Sequence, residues 1–251
     1  MKDKDTGYIY NHLVEQADMC YNRDIPVATD FLDLNGQSIF HTALKDMPPV
    51  VRKEMGGYDL AERKLVLFLP YEDYPYEKPY DIIRIAPSDS RFAEELGHRD
   101  YLGALLNLGI AREKLGDIIV ESGCAYVFCV NSITDYIVSS LSKIRHTFVK
   151  AEAVPDMEFN YEPRFEKIQG SVASLRLDAV ISLGFGHSRN HIIQYIEAGK
   201  VAVNGRIITT NAYGLKDEDI ISVRGLGKLK FERAVSETRK GRIMVILRKY
   251  I

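Results

Sequence analysis

The chain of 251 residues has no tryptophan and only three cysteines. Cys20, Cys124 and Cys129 are an odd number, and no two of them have the C-x-x-C spacing of a redox or zinc motif. Cys124 and Cys129 are five residues apart, so on one strand their side chains would point to opposite faces. We therefore predict buried free thiols, and the sequence predicts neither a metal site nor a cofactor.

Long apolar runs are also missing. The first residues, MKDKDTGYIYNHL, do not contain the apolar stretch of a signal peptide, and no apolar run of about 18 residues occurs anywhere in the chain. We expect a cytoplasmic protein that does not contact a membrane. The length is sufficient for two or three small domains with their own cores.

Net charge is small, at −2, but it is unevenly distributed. Residues 172–251 hold 14 Lys and Arg against 7 Asp and Glu, whereas residues 1–171 hold 19 against 28. A basic part attached to an acidic body predicts that the C-terminal part meets a polyanion. A charged surface that faces only solvent is the alternative.

Residues 174–223 have the clearest pattern in the chain. Apolar residues recur at helical spacing over residues 175–183, which predicts a helix that ends at Gly184. Ser188 is suited to cap a second helix, which would end at Gly199.

A hairpin is predicted after these two helices. Residues 201–203 and 207–208 are apolar, and Asn204-Gly205 between them suits a tight two-residue turn. Residues 220–223 form one more strand after a polar turn.

The module resembles the S-four RNA-binding domain, a family named after a small-subunit ribosomal protein. The resemblance rests on four motifs in order: Arg176-Leu177-Asp178, Ser188-Arg189, residues 199–205 (GKVAVNG) and Val223-Arg224. The chain departs from the family pattern at Ile192, where alanine is usual, and at Glu218-Asp219, where Gly-Asp is usual. The resemblance implies an RNA-binding surface made of Arg176, His187, Ser188, Arg189, Asn190, Lys200, Asn204, Arg206 and Arg224. For Arg176, an internal contact with Asp178 is the alternative.

The C-terminal residues predict a terminal β-hairpin. Its strands are residues 231–235 and 243–247, which are apolar or alternate. Its positive rim would contain Lys228, Lys230, Arg233, Arg239, Lys240 and Arg242.

The middle region predicts elements in the order β-α-β-β-α-β. The six segments are residues 80–86, 99–108, 117–121, 125–130, 132–141 and 147–153. This is the split ferredoxin-like arrangement shared with the commonest module that binds single-stranded RNA. The aromatic signature of that module is missing, since only Tyr126 and Phe128 alternate on one candidate face, so the fold alone does not predict RNA binding.

One helix of the middle region carries polar residues on a face of its own. Arg99, Gly103 and Asn107 follow one another at four-residue spacing. A glycine inside a helix costs about 1 kcal/mol relative to alanine, so we expect something to approach closely there. Packing of the helix on the sheet is one interpretation, and contact of His98, Arg99 and Asn107 with RNA or a ribosomal surface is the other.

Residues 1–75 predict a small α/β unit without a catalytic constellation. Helices are expected over residues 8–21 and in the segment that stops at Pro48, a short helix over residues 50–55, and a strand over residues 63–69.

Residues 98–118, HRDYLGALLNLGIAREKLGDI, followed by an S-four module, resemble the YlmH family of Gram-positive bacteria. The resemblance covers the middle and C-terminal regions well and the N-terminal region weakly. It implies a protein encoded among cell-division genes that binds the large ribosomal subunit and assists alanine tailing of stalled chains. The implied partners are the ribosomal RNA of that subunit, peptidyl-tRNA and the nascent-chain tailing factor, without a small-molecule substrate.

Enzyme interpretations fit the sequence less well. Residues 98–100 (HRD) match the start of a kinase catalytic loop, but Leu105 stands where that motif has asparagine. Residues 176–178 (RLD) match a catalytic motif of pseudouridine synthases, but they lie inside the S-four pattern and have no second copy. We predict that the chain is not an enzyme. An rRNA- or tRNA-modifying enzyme of the pseudouridine synthase type and a cell-division adaptor are the alternatives.

The predicted fold class is α+β, in three parts. These are an N-terminal α/β unit at residues 1–75, a ferredoxin-like middle domain at residues 76–165, and an S-four-type RNA-binding domain with a terminal hairpin at residues 172–251.

Overall fold

The structure, a computed structural model, divides the chain into two compact units, residues 1–161 and 162–251. It describes residues 2–59, 61–89, 91, 93–156, 159, 161, 164–238 and 241–250, with the side chains from residue 6 onward. Both units combine helices with antiparallel sheets, so the predicted α+β class is confirmed.

The N-terminal part of the first unit packs two helices on a small sheet. Its elements are α1 (Lys2–Arg23), β1 (Val27–Ala28), α2 (Leu34–Ala43), β2 (Val51–Met55) and β3 (Leu65–Leu69). The strand order is β1-β3-β2. Helix α1 buries Leu13, Ala17 and Cys20, which lie on one face. The predicted helix over residues 8–21 is therefore present and longer than expected.

The short helix predicted over residues 50–55 is wrong, because Val51–Met55 forms strand β2. It pairs with β3 in antiparallel register, from Val51 opposite Leu69 to Met55 opposite Leu65. All five residues of β3 are buried, so its backbone groups need partners on both sides, and β2 supplies one of them. Arg52 and Glu54 alternate outward along β2, as on an edge strand.

The middle region has the predicted ferredoxin-like topology. Its elements are β4 (Tyr80–Pro87), α3 (His98–Asn107), β5 (Leu115–Glu121), β6 (Cys124–Val130), α4 (Thr134–Ser140), β7 (Lys143–Ile144) and β8 (Thr147–Val154). The strand order β5-β6-β4-β8-β7, with antiparallel neighbours, is the split arrangement with one added edge strand. Helices α3 and α4 cover one face through Tyr101, Leu105 and Ile137.

The opposite face of this sheet is covered by the N-terminal part of the same unit. Phe31 and Leu65 pack in one cluster with Tyr80, Ile82 and Phe128. The predicted division near residue 75 therefore separates two sheets, yet the two parts share a core and form one compact unit.

The second unit is a six-stranded sheet covered by two helices. Its elements are β9 (Phe165–Val172), α5 (Leu177–Phe185), α6 (Arg189–Glu197), β10 (Val201–Val203), β11 (Arg206–Ile207), β12 (Ile220–Val223), β13 (Gly227–Glu237) and β14 (Ile243–Tyr250). The strand order is β11-β10-β12-β13-β14-β9. The predicted terminal hairpin is present as β13 and β14. Two of its predicted rim residues, Arg239 and Lys240, lie outside the described residues.

One predicted helix end in this unit is wrong, and one of its strands precedes the predicted start of the domain at residue 172. Strand β9 pairs along its whole length with β14 and so belongs to this sheet. Helix α5 continues through Gly184 and ends at Phe185, and Gly186, with a φ of 68°, caps its C-terminus. Gly184 stays inside the helix because α5 packs closely on β13 there: an added Cβ would lie 2.4 Å from Leu229 Cδ1.

Within the described ranges, no helix is both long and apolar enough to cross a membrane.

Candidate nucleic-acid interface

The two helices of the second unit begin differently. The N-terminus of α5 is closed by the loop before β12, since the Leu177 N–H donates to Tyr213 O at 2.9 Å and the Asp178 N–H to Asn211 O at 3.3 Å. Arg176 also forms a β-bridge with Gly214. The start of α5 is therefore held by the protein itself and is not available to a ligand.

Asp178 joins the two arginines of the predicted motifs. Arg176 Nε donates to Asp178 Oδ1 at 3.1 Å, and Arg189 Nη2 donates to Asp178 Oδ2 at 2.6 Å. The Asp178 side chain is 1% exposed, whereas those of Arg176 and Arg189 are 39% and 50% exposed. We call these three residues the arginine–aspartate cluster. It has two positive charges and one negative charge, so it remains positive towards solvent.

The internal contact considered for Arg176 is thus present, and it does not remove the arginine from the surface. Burial by itself raises the pKa of the Asp178 carboxyl, but the hydrogen bonds from Arg189 and Arg176 outweigh burial and hold that pKa below its ordinary value. Asp178 is therefore ionised at neutral pH and fixes both guanidinium groups. Each guanidinium has five N–H donors, so donors remain for a phosphate.

The N-terminus of α6 is open. Ser188 caps it as predicted, with Ser188 Oγ accepting from the His191 N–H at 3.3 Å. The N–H groups of Arg189 and Asn190 find no acceptor in the part of the chain that the structure describes. Free N–H groups and the positive end of the helix dipole favour an anion at this position.

A row of rings lies along α6 beside this opening. The rings of His187 and His191 are 5.0 Å apart between centroids, and those of His191 and Tyr195 are 5.1 Å apart. Lys200 Nζ lies 5.2 Å from the centroid of the Tyr195 ring. We call these four residues the α6 ladder. Only His187 and Lys200 were predicted as contacts, although the four-residue spacing of His187, His191 and Tyr195 is visible in the sequence.

Three of the other predicted residues lie around the sheet. Arg224 is exposed next to Lys200, whose carbonyl oxygen accepts from the Arg224 N–H at 2.9 Å. Arg206 is exposed on β11. Asn204 is engaged inside the domain: its Nδ2 donates to Asp219 Oδ1 at 2.8 Å, and its Oδ1 accepts from the Ile220 N–H at 2.9 Å. Asn204 therefore acts inside the domain, where it holds the shape of the hairpin.

The candidates of the middle region separate into two places. Arg99 and Asn107 line one groove together with Gly103. His98 is not among the residues that line it. The pKa of His98 is lowered by burial and by the nearby charge of Arg112.

Comparison with known families identifies two domains in the chain. Residues 77–158 match the family model of a putative RNA-binding domain in YlmH. Residues 175–221 match the model of the S4 domain, so the predicted S-four resemblance is confirmed.

Two curated proteins are similar to the chain. The ribosome-associated protein quality control protein P2 of Bacillus subtilis is 29% identical over 84% of this chain and 82% of its own length. The small ribosomal subunit protein uS4 of Chromohalobacter salexigens is 32% identical over 28% of this chain and 37% of its own length.

Among solved structures, the cell division protein ylmH from Streptococcus pneumoniae is 23% identical to the chain. It superimposes with a TM-score of 0.49 over 63% of this chain and 94% of that one.

Proposed function

We propose that this YlmH-type protein, which carries a putative RNA-binding domain and an S4 domain, binds the large ribosomal subunit and its peptidyl-tRNA. In this role it assists the rescue of stalled nascent chains by alanine tailing, together with the tailing factor. The similarity to a ribosome-associated quality control protein over 84% of the chain supports this proposal. The site of action is then the cytoplasm, where ribosomes translate.

The observation that carries the proposal is the arginine–aspartate cluster beside the open end of α6. Two guanidinium groups held by one buried carboxylate, next to two free N–H groups, make a preorganised site for phosphate oxygens. The α6 ladder adds rings on which unpaired bases stack. Contacts of this kind position an RNA without reading its sequence, which suits a protein that recognises one shaped site on a ribosome.

The alternative of a modifying enzyme is disfavoured by the same geometry. If residues 176–178 were the catalytic motif of a pseudouridine synthase, the Asp178 carboxylate would have to reach a base of the RNA substrate. Its side chain is 1% exposed and bound by both arginines, so it has no path to a substrate. A division adaptor that acts without RNA would not need either arginine at the surface.

The proposal is tested by co-sedimentation of the full chain with purified large ribosomal subunits, empty and loaded with peptidyl-tRNA, at two salt concentrations. The wild type is compared with Arg176→Ala/Arg189→Ala. The control is Arg23→Ala/Arg52→Ala, which removes the same charge from exposed positions of the first unit. We expect the wild type and the control to migrate with the subunit and to release it as salt rises.

For the cluster variant we expect roughly a 10- to 100-fold loss of affinity and a salt slope lower by about one for each phosphate contact removed. If the cluster variant and the wild type bind both kinds of subunit equally, the cluster is not the interface. If the wild type binds neither, the ribosomal function itself is wrong.

A further inference from the structure

In ferredoxin-like RNA-binding domains, one face of the sheet usually stacks RNA bases on aromatic side chains. In this protein the aromatic residues of that face are covered by other side chains of the first unit. Phe128 is fully buried, and the ring of Phe159 lies on it at 5.0 Å between centroids. Phe159 also covers Tyr126 at 5.3 Å, and Tyr58 lies 5.7 Å from Phe128. The two aromatic residues that alternate in the sequence therefore belong to the core of the first unit. RNA that contacts the middle domain has to use another surface.

An open groove lies on the helical side of the domain, between α3, the end of α4 and β7. Its volume is about 460 Å³. Arg99, Gly103 and Asn107 line it from successive turns of α3, and Ser142 and Lys143 line it from the opposite side. We call it the α3 groove.

Gly103 shows that this groove is not filled by the protein. A Cβ added at Gly103 would meet no heavy atom within 4 Å. Close packing of α3 on the sheet, one of the two interpretations of this glycine, is therefore wrong for this position. The helix still carries glycine where alanine would be more stable, which points to a ligand that approaches the helix backbone.

The net charge around the groove is positive. Arg99 and Lys143 have no carboxylate within 4.0 Å in the part of the chain that the structure describes. Arg145 lies 3.6 Å from Glu94 and 3.5 Å from Asp100, so these three groups amount to one negative charge. The Arg145 backbone has a φ of 54°, a conformation that glycine or asparagine adopts at lower energy. The turn thus keeps an arginine at the groove in spite of backbone strain.

We propose that the α3 groove is a second RNA-binding site of this chain, and that it takes the sugar–phosphate backbone. This rests on the proposed function, since it assigns a second surface to the same RNA. Arg99 and Lys143 would neutralise phosphates, while Asn107, Ser140 and Ser142 offer side-chain hydrogen bonds to phosphate and ribose oxygens. The missing side chain at Gly103 leaves room for the backbone to lie against α3.

An RNA ligand fits this groove better than a protein ligand. Protein interfaces depend on exposed aromatic or aliphatic anchors, whereas the largest apolar residue of the groove that is not buried, Leu108, is only half-exposed. Leu141 and Ile144 are buried, and none of the large exposed apolar side chains of the described residues lines the groove.

The test measures binding of the full chain to ribosomal RNA extracted from purified large subunits. Gly103→Gln fills the groove, and Arg99→Ala/Lys143→Ala removes the two cations of the groove that have no carboxylate within 4.0 Å among the described residues. We expect each variant to bind about 10-fold more weakly, and the double variant to have a salt slope lower by about two. Gly103→Ala is expected to raise the thermal midpoint while it weakens RNA binding, a combination that a purely structural glycine would not produce.

The controls separate this proposal from the proposed function. Arg23→Ala/Arg52→Ala should bind as the wild type does. If the groove variants bind normally while Arg176→Ala/Arg189→Ala loses binding, the groove proposal is overturned and the S4 interface stands. If the wild type does not bind the RNA at any salt concentration, both fail. RNA binding that is unchanged in the groove variants, with loss of a protein partner instead, would also overturn the proposal.

Discussion

Asp178 holds two arginines in place with one buried negative charge. The carboxylate accepts from Arg176, from Arg189 and from the Ala179 N–H, so it is well satisfied in spite of its burial. The two guanidinium groups are already ordered before a phosphate arrives. Arginine side chains that are already ordered lose less conformational entropy when a ligand binds, which makes this cluster better suited to phosphate than two free arginines.

The first prediction concerns Asp178→Asn. The amide carries no charge and accepts fewer hydrogen bonds from the arginines, so we expect a loss of about 1–3 kcal/mol in the free energy of unfolding at neutral pH. The folded-state pKa of Asp178 lies below the ordinary value of 3.8, so the folded protein binds this proton less tightly than the unfolded chain. The stabilisation is therefore present above pH 4 and is lost as the pH falls through the lowered pKa.

Urea denaturation from pH 7 down to pH 3 measures this difference. We expect the stability difference between the wild type and Asp178→Asn to narrow towards the acidic end. Glu15→Gln, which changes an exposed carboxylate on α1, is the control and should differ little in stability from the wild type. A gap between wild type and Asp178→Asn that stays constant over this pH range would contradict the assignment.

At the scale of single residues, the sequence predicts which basic residues lie near the site, but not which of them contact one another. Arg189 is eleven positions from Asp178, and no local spacing indicates that the two touch. His191 and Tyr195 are polar or aromatic positions of an amphipathic helix, which solvent exposure would explain equally well. The four-residue spacing of His187, His191 and Tyr195 is in the sequence, but that the three rings contact one another is shown only by the structure.

At the scale of elements, the hairpin of β10 and β11 depends on its turn. Asn204 has a φ of 48° and Gly205 a φ of 78°, the two left-handed residues of the tight turn that the sequence predicts. The Asn204 amide then ties this turn to Asp219 and to the start of β12. One side chain thus fixes both the hairpin and the strand next to it.

We predict that Asn204→Ala lowers the free energy of unfolding by about 2–3 kcal/mol, because it removes two hydrogen bonds and because alanine adopts the left-handed conformation at higher energy than asparagine does. Asn204→Gly should recover about 1 kcal/mol, since glycine relieves the backbone but not the lost bonds. Thermal or chemical denaturation measures both. The RNA affinity of both variants, measured under conditions in which they are fully folded, should change little. A large loss of affinity with normal stability would make Asn204 a direct contact instead.

The element that the sequence predicts wrongly shows where local pattern fails. Residues 50–55 contain lysine, glutamate and methionine, which favour helices, and a segment of six residues is too short to show a clear period. Its structure is decided by β3, whose buried edge needs a partner. Six of the seven elements of the middle region are longer and have clearer apolar patterns, and these six were predicted within a few residues, whereas the two-residue strand β7 was not predicted.

At the scale of the molecule, the first unit is joined across two sheets. Arg63 donates to the carbonyl oxygens of Phe31 and Leu115, both at 2.8 Å, and thereby links residues of the N-terminal part with the start of β5. Asp117 accepts from the Tyr58 hydroxyl at 2.7 Å and from the Glu62 N–H at 2.6 Å. The division near residue 75 was predicted from local sequence patterns. Contacts between residues so far apart in the chain do not affect such patterns, so the prediction could not include them.

Gly57 lies where the two parts of the first unit meet, and it provides the last prediction. It has a φ of 89°, and an added Cβ would lie 2.0 Å from Phe128 Cε1 in the shared core. We expect Gly57→Ala to lower the stability of the first unit by about 3 kcal/mol or more, from backbone strain and overpacking together. Gly109→Ala is the matched control: its φ is 81° and its Cβ would meet nothing within 4 Å, so it carries the strain alone, about 1–2 kcal/mol.

Hydrogen exchange followed by mass spectrometry locates the effect. In Gly57→Ala, amides of β3, β4 and β6 should all exchange faster, because the two sheets share one core and open together. Amides of β9 and β14, which belong to the separate core of the second unit, should keep their wild-type rates. Faster exchange in β3 with unchanged β4 and β6 would mean that the N-terminal part opens by itself, and that the division near residue 75 is a real domain boundary.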